Sequence, residues 1–174
     1  MTVYTDPAAG GAPYRHQPAA FDPGARVVRG LTVRQPWAWA IAHAGKSVEN
    51  RSKSLSWCGP VAIHAGLALA DDADDPLIRA AWRDADPAVR RIVRGAIIAV
   101  ADLVDCHPAD DPGPDGSGCC PPWGRPGGFH LVLDAVWVLD GPVECVGRLG
   151  LWPLTPHQSW AVHAALPALS AGAA

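Results

Sequence analysis

The chain has 174 residues, 49% of them hydrophobic, and a formal net charge of −3 at pH 7. That length and hydrophobicity predict one globular domain with a sizeable core. The negative net charge excludes the broad basic surface with which proteins hold long nucleic acids, so a nucleotide would have to bind in a local basic pocket.

Three segments are predicted along the chain. Residues 1–25 are rich in Pro, Gly and Ala without hydrophobic periodicity, which is typical of a flexible arm. Residues 26–166 carry the strand and helix patterns of one domain. Residues 167–174 are predicted to be a frayed tail.

The first part of the domain alternates between strands and a helix. Strands are predicted over 27–34, 46–53 and 60–65. Between the first two, a helix begins at Pro36, a favoured first helical residue, and ends at Gly45, a natural C-terminal stop.

Two helices and a buried strand come next. Asp75 and Asp86 each precede a proline, the pattern of an N-cap and a first-turn proline, and the second helix is predicted to end at Gly95. Residues 95–106 are apolar on both faces, as in a central strand that is covered on both sides. Residues 107–128 are rich in Pro, Gly and Asp and are predicted to form a long lid or binding loop.

The last part of the domain returns to strands over 129–139 and 143–151. Thr155 is then predicted to cap a short helix that continues to Ala165. This order of elements predicts an α+β domain with a small curled or closed sheet and helices that plug its ends.

Much of the polar chemistry lies between residues 31 and 66. Lys46 follows the C-terminus of the first helix, where the helix dipole favours a cation. Glu49 and Arg51 are two residues apart on a strand, so their side chains share a face. Arg51 can fork onto a phosphate or carbonyl oxygen, and Glu49 can accept a hydrogen bond from the exocyclic amine of a base. Gln35 adds a neutral donor and acceptor.

These residues carry a family resemblance. The segments RQPWAWAI, GKSVENRS, GPVAIHAG, GAIIAVADLVDC and LGLW, in that order, resemble the ASCH (activating signal cointegrator homology) domain, a branch of the PUA-like superfamily, over residues 28–153. The G-x-K-x-x-E-x-R signature of that family corresponds here to Gly45, Lys46, Glu49 and Arg51, with the Gly and Lys adjacent.

The resemblance implies a PUA-like, small mixed β-barrel with helices packed at its ends and a cleft that accepts RNA or a possibly modified nucleotide or nucleobase. An indole of Trp37 or Trp123 would stack on the base. No cofactor and no metal is predicted as part of this cleft. The predicted ligand-binding residues are Gln35, Trp37, Lys46, Glu49, Arg51, His64 and Trp123.

The resemblance also leaves an enzymatic alternative, a hydrolase acting on N4-acylated cytidine-type nucleosides or on single-stranded RNA. The deacetylating branch of the family uses a Thr nucleophile three residues after its lysine, and here Glu49 occupies that position. A carboxylate cannot replace an alkoxide, but it can activate a water as general base beside Lys46. Asp102 is the candidate acidic partner, and its competing interpretation is a cap for a buried backbone or arginine group.

Two further predictions concern histidine and cysteine. Cys106, His107, Cys119 and Cys120 bracket the predicted loop and could hold zinc, although adjacent cysteines do not easily ligate one tetrahedral ion and no C-x-x-C spacing occurs. Reduced thiols are therefore the preferred interpretation. His64, on an otherwise apolar strand, is either a core histidine or a cleft residue.

The sequence also allows predictions about partners and cellular location. A third possible function is an interaction module that binds no ligand and uses residues 107–128 as a protein contact. The chain starts without a secretory signal pattern, contains no apolar run of membrane-spanning length, and has five irregularly spaced cysteines. These features predict a cytoplasmic protein with no membrane contact.

Overall fold

A computed structural model describes residues 28–110 and 120–167. The predicted arm, most of the predicted tail and Cys119 lie outside these residues. The described part is an α+β fold with six strands and three α-helices, and none of these helices has the length and hydropathy to cross a bilayer. The strands are β1 (Arg29–Gln35), β2 (Val48–Arg51), β3 (Gly59–Leu69), β4 (Ala96–Pro108), β5 (Phe129–Glu144) and β6 (Leu151–Pro153), and the helices are α1 (Trp37–His43), α2 (Pro76–Asp84) and α3 (Pro156–Ala164).

The strands form one mixed sheet in the order β2-β5-β4-β3-β1-β6. β1 and β3 are parallel, and every other neighbouring pair is antiparallel. Within the described part of the chain, no ladder joins the edge strands β2 and β6, so this sheet is open and not closed into the expected barrel. Each edge strand is short and pairs along its whole length with one neighbour.

The central strand β4 is covered on both faces, as its apolar sequence predicts. Leu103 packs in the cluster that includes Ile41 of α1, whereas Ile97 packs in the cluster that includes Val162 of α3. Register shifts in the pairing with β5, beginning after Ile97 and after Val100, interrupt the regular alternation of side chains. A strict two-residue alternation of faces therefore does not hold along the whole strand.

The first helix leads directly into the polar residues of β2. The side-chain Oε1 of Gln35 accepts a hydrogen bond from the backbone N–H of Trp39 at 2.9 Å, which caps the first turn of α1. At the other end Gly45 has a φ of +64°, a left-handed conformation that favours glycine. The backbone N–H of Lys46 donates to the carbonyl of Ala40 at 3.1 Å, so the chain reverses at this point.

The helix predicted between Asp86 and Gly95 is wrong. Asp86 does cap its first residues, but only one 3-10 turn forms, over Pro87–Val89. After that turn the backbone bonds to other elements: the carbonyl of Val93 accepts from the Gln35 side chain at 2.6 Å, and the N–H of Gly95 donates to the carbonyl of Ala65 at 2.7 Å. These tertiary hydrogen bonds replace the ones that a helix would have made.

The prediction for the last strands is corrected in one place. The strand that begins at Phe129 continues to Glu144, and residues 145–150 are not part of a strand. Of the strand predicted over 143–151, Val143 and Glu144 belong to β5 and only Leu151 lies in β6. The final helix is confirmed: Thr155 and Gln158 form a reciprocal capping box at the start of α3.

Candidate functional site

A cavity of about 950 Å³ lies beside α1, β1 and β2. Its volume is at the upper end of the range of about 300–1,000 Å³ that is usual for small-molecule sites. The lining carries an excess of two positive charges, in contrast to the net −3 of the whole chain. The lining cations are Arg34, Lys46, Arg51, Arg125 and Arg148, and the lining carboxylates are Glu49, Asp71 and Asp72.

Three predicted charged residues converge on this cavity. Lys46 is 1% exposed, its Nζ donates to the carbonyl of Val48, and the same Nζ lies 3.4 Å from Oε2 of Glu49. The other carboxylate oxygen, Oε1, is 3.1 Å from Nε of Arg51, a close ion pair without hydrogen-bond alignment. Arg51 also donates from Nη2 to the carbonyl of Thr32 at 2.5 Å. One carboxylate thus lies between an ammonium and a guanidinium.

The environment of Lys46 changes its protonation equilibrium. Burial lowers the pKa of this ammonium below its ordinary 10.5, because the charged form loses water. Glu49 opposes that effect, and the positive charges of Arg125 and Arg51 add to it. Lys46 therefore loses its proton more easily than an exposed lysine does.

Trp37 forms an aromatic wall of the cavity and is surrounded by charge. Its indole Nε1 donates to Oδ1 of Asp72 at 2.8 Å. The guanidinium carbon of Arg125 lies 4.8 Å from the ring centroid, and Nζ of Lys46 lies 5.7 Å from it. Arg125 is fixed in this position by ion pairs with Asp72 at 3.2 Å and with Asp75 at 2.5 Å.

The side chain of Asn50 links β2 to the segment that carries Arg125 by two hydrogen bonds. The amide of Asn50 donates to the carbonyl of Trp123 at 3.0 Å and accepts from the backbone N–H of Arg125 at 2.9 Å. Trp123 is 8% exposed and packs edge-on against Trp37, with the ring centroids 6.5 Å apart. Trp123 therefore supports the wall from behind, and Trp37 is the indole that lines the cavity.

Besides Trp123, three predicted site residues lie outside the lining. Gln35 is 0% exposed, and its amide is bonded to Val93 and to the first turn of α1. His64 is 2% exposed, with Nε2 3.0 Å from the carbonyl of Cys145. Asp102 is 3% exposed and lies opposite Asp134 in the β4–β5 ladder. All three are embedded in or behind the sheet.

Several lining residues were not predicted from the sequence. Arg125 and Arg148 lie in glycine-containing loops, and Asn50 lies between the two signature residues of β2. Arg125 could have been proposed from the sequence, because it is a cation within the loop that was predicted to bind ligand. Arg148 could be placed at the cavity only by the path of residues 145–150.

The predicted metal ligands divide into two groups. His107 and Cys120 lie together, with Nε2 and Sγ 3.5 Å apart. Cys106, the neighbour of His107 on β4, instead accepts a hydrogen bond from the backbone N–H of Leu55 at 3.3 Å and packs against the main core. Cys119 is outside the described residues.

The cavity combines the donors, acceptors and ring surface that a polar aromatic ligand would require. The excess cations can neutralise an anionic group, the Glu49 carboxylate can accept from an amine, and Trp37 can provide a flat apolar contact. No protein-family model and no curated protein matches this chain. The chemistry of the lining residues is therefore the basis for the function proposed below.

Proposed function

We propose that this chain is an ASCH-type, PUA-like protein whose cavity binds RNA or a possibly modified nucleotide or nucleobase. The observation that carries this proposal is the convergence of Lys46, Glu49 and Arg51 on one cavity beside the indole of Trp37. Three residues of the G-x-K-x-x-E-x-R signature thus line the same cavity. The open six-stranded sheet would correspond to the barrel of the PUA-like superfamily.

The size and charge of the cavity support a single nucleotide unit as the part of the ligand that it holds. A volume of about 950 Å³ suits one base with its sugar and phosphate, and a double helix would not fit. Arg148 is exposed at the cavity and would reach the phosphate, which arginine can bind in a bidentate manner. Glu49 would accept from an exocyclic amine, as in cytosine or adenine, while Trp37 contacts the ring.

Binding should be tested with a labelled single-stranded RNA and with labelled mononucleotides, by fluorescence anisotropy at fixed ionic strength. Replacing Arg148 by Ala should weaken binding about tenfold, since one charge-assisted hydrogen bond contributes roughly 1.5 kcal/mol. Arg91 is an exposed arginine outside the cavity and provides the matched control Arg91→Ala. Equal affinity of the two variants and the wild type would remove the proposed phosphate contact.

A second function, hydrolysis of an N4-acylated cytidine-type nucleoside or of single-stranded RNA, is favoured by one observation. Lys46 has a pKa lowered by burial and lies 3.4 Å from the carboxylate of Glu49, which lines the cavity. Glu49 would activate a water as general base, and Lys46 would orient it. Asp102, the third predicted catalytic residue, does not line the cavity.

The enzymatic alternative predicts release of acetate from N4-acetylcytidine, or of shorter fragments from an RNA oligomer. Turnover should fall by two or more orders of magnitude in Glu49→Gln, because the neutral amide cannot take a proton from water. Chromatography of the products would measure this. No turnover by the wild type, with or without divalent metal ions, would leave binding as the proposed function.

A further inference from the structure

A second polar cluster lies at the other end of β2 from Lys46, between β4, β5 and the segment that begins at Cys120. We refer to His107, Cys120 and His130 as the His–Cys–His cluster. His107 and His130 are direct partners across the β4–β5 ladder, with ring centroids 5.5 Å apart. One ligand atom from each of the three residues lies within 4.8 Å of the other two.

Each imidazole has a hydrogen-bond acceptor at one of its two ring nitrogens. Nδ1 of His107 lies 2.7 Å from Oδ2 of Asp105, which fixes the proton on Nδ1 and leaves the lone pair on Nε2. Nε2 of His130 lies 2.8 Å from the carbonyl of Arg125, which can only accept, so the proton is on Nε2 and the lone pair on Nδ1. A carboxylate or carbonyl behind each imidazole is the usual support of a metal-bound histidine.

The distance between His107 and Cys120 suits two ligands of a tetrahedral ion. Zinc binds nitrogen at about 2.0–2.1 Å and sulfur at about 2.3 Å, so two such ligands lie roughly 3.5 Å apart in a tetrahedron. Nε2 of His107 and Sγ of Cys120 are 3.5 Å apart. Cys120 reaches this position with a φ of +65°, in the left-handed region that is uncommon for a residue with a side chain.

We propose that His107, Cys120 and His130 bind a zinc ion, with Asp105 and the carbonyl of Arg125 as supports for the two imidazoles. Three protein ligands leave one position for water. The ion would replace the weak thiol–imidazole contact by two strong bonds and would attach Cys120 to the sheet.

The location of the cluster links it to the cavity. Cys120 and Arg125 belong to one short segment, and Arg125 is one of the two cations that lie over the Trp37 ring. Its carbonyl contacts His130, while its N–H contacts Asn50. Zinc at the cluster would therefore fix this segment at both ends. The proposal does not depend on a nucleotide, because zinc binding can be measured without one.

The experiment uses the full chain, stripped of metal and then loaded with one equivalent of Zn²⁺ or Co²⁺. After removal of unbound metal, elemental analysis should find one zinc per wild-type chain. The Co²⁺ form should show the near-ultraviolet absorption of a thiolate–cobalt bond. Both signals should be lost in Cys120→Ser and retained in Cys58→Ser, which changes an exposed cysteine that is not in the cluster.

A supporting variant tests the role of Asp105 without removing a ligand. Asp105→Asn should weaken zinc affinity by about 10- to 100-fold, the usual effect of losing a carboxylate behind a metal-bound histidine. Far-ultraviolet circular dichroism of the metal-free variants verifies that each one folds. A variant that does not fold is replaced by alkylation of the wild type, in which bound zinc should protect Cys120 from iodoacetamide.

Three results would overturn the proposal. They are a wild type that retains no zinc, equal zinc content in Cys120→Ser and Cys58→Ser, and alkylation of Cys120 at the same rate with and without zinc. Rapid alkylation that zinc does not affect would instead indicate that Cys120, His107 and Asp105 form a thiolate–imidazole–carboxylate arrangement, typical of a nucleophilic cysteine.

Discussion

The two lysines of the chain make a matched pair for testing the buried charge cluster. Lys46 is 1% exposed and bonded to Val48 and Glu49, whereas Lys53 is exposed. Lys46→Met keeps most of the apolar length of the side chain but removes its charge. The same substitution at Lys53 changes only a solvated side chain, so the comparison isolates the effect of burial and pairing.

The expected cost at pH 7.5 follows from the contacts that Lys46→Met removes. A hydrogen bond from a charged donor contributes about 1.5–3 kcal/mol, and removing one partner of a fully buried ion pair costs about 3–5 kcal/mol. Glu49 keeps its contact with Arg51, which reduces the second figure. We therefore expect a loss of about 2–3 kcal/mol in the free energy of unfolding, against less than about 0.5 kcal/mol for Lys53→Met.

The pH dependence tests the cause of the pKa shift. Burial lowers the pKa of Lys46 in the folded state below the 10.5 of the unfolded chain, so between these two values the unfolded state binds more protons. The free energy of unfolding of the wild type must then rise with pH in this window, through a contribution that Lys46→Met lacks. The deficit of the variant should grow as the pH is raised from 7.5 towards 10.

Urea unfolding at several pH values, followed by tryptophan fluorescence, measures both quantities. A deficit that shrinks as the pH rises would refute the argument, because it would mean that the ion pair with Glu49 raises the pKa of Lys46 more than burial lowers it. A loss equal to that of Lys53→Met at every pH would show that Lys46 is not buried and paired.

Three other predictions concern packing, capping and thiol reactivity. Gly30→Ala should lower the free energy of unfolding by about 1–3 kcal/mol, since its Cβ would lie 2.7 Å from Cη2 of Trp152. The control Gly141→Ala should show no such loss, because a Cβ at that position would have no neighbour within 4 Å among the described residues. Thr155→Ala should cost about 1 kcal/mol in the same urea assay through loss of the α3 cap, and an unchanged midpoint would contradict the capping box. The rate at which Cys58 reacts with iodoacetamide should rise with pH around a midpoint above 9.0, because partial burial and then the nearby Asp105 raise the pKa of its thiol. Mass spectrometry would follow the reaction, and a midpoint at or below 9.0 would contradict this prediction.

The sequence predicts those elements whose signals are local. Asp75 and Thr155 cap helices where their spacing to a proline indicated, and Gly45 ends the first helix with a positive φ. Each of these features depends on residues within one turn of the chain. The helix predicted after Asp86 failed because its continuation is decided by hydrogen bonds to Gln35 and Ala65, which are distant in sequence.

In the candidate site, too, the contacts between residues close in sequence are predictable and the distant ones are not. Lys46, Glu49 and Arg51 lie within six residues, so their approach follows from one turn and one strand. Arg125 reaches the cavity through a hydrogen bond with Asn50, 75 residues earlier, and no local pattern indicates that contact. His130 was missed in the same way, since it meets His107 only through the register of β4 and β5.

The short strand β6 has a consequence for how this protein behaves at high concentration. An exposed sheet edge can pair with a second molecule and begin aggregation. Here the outer strand spans three residues and ends in Pro153, which has no N–H, so at most two backbone donors remain for an incoming strand. That side of the molecule is poorly suited to growth by strand addition, and the protein can keep an open sheet without offering this edge as a template for fibrils.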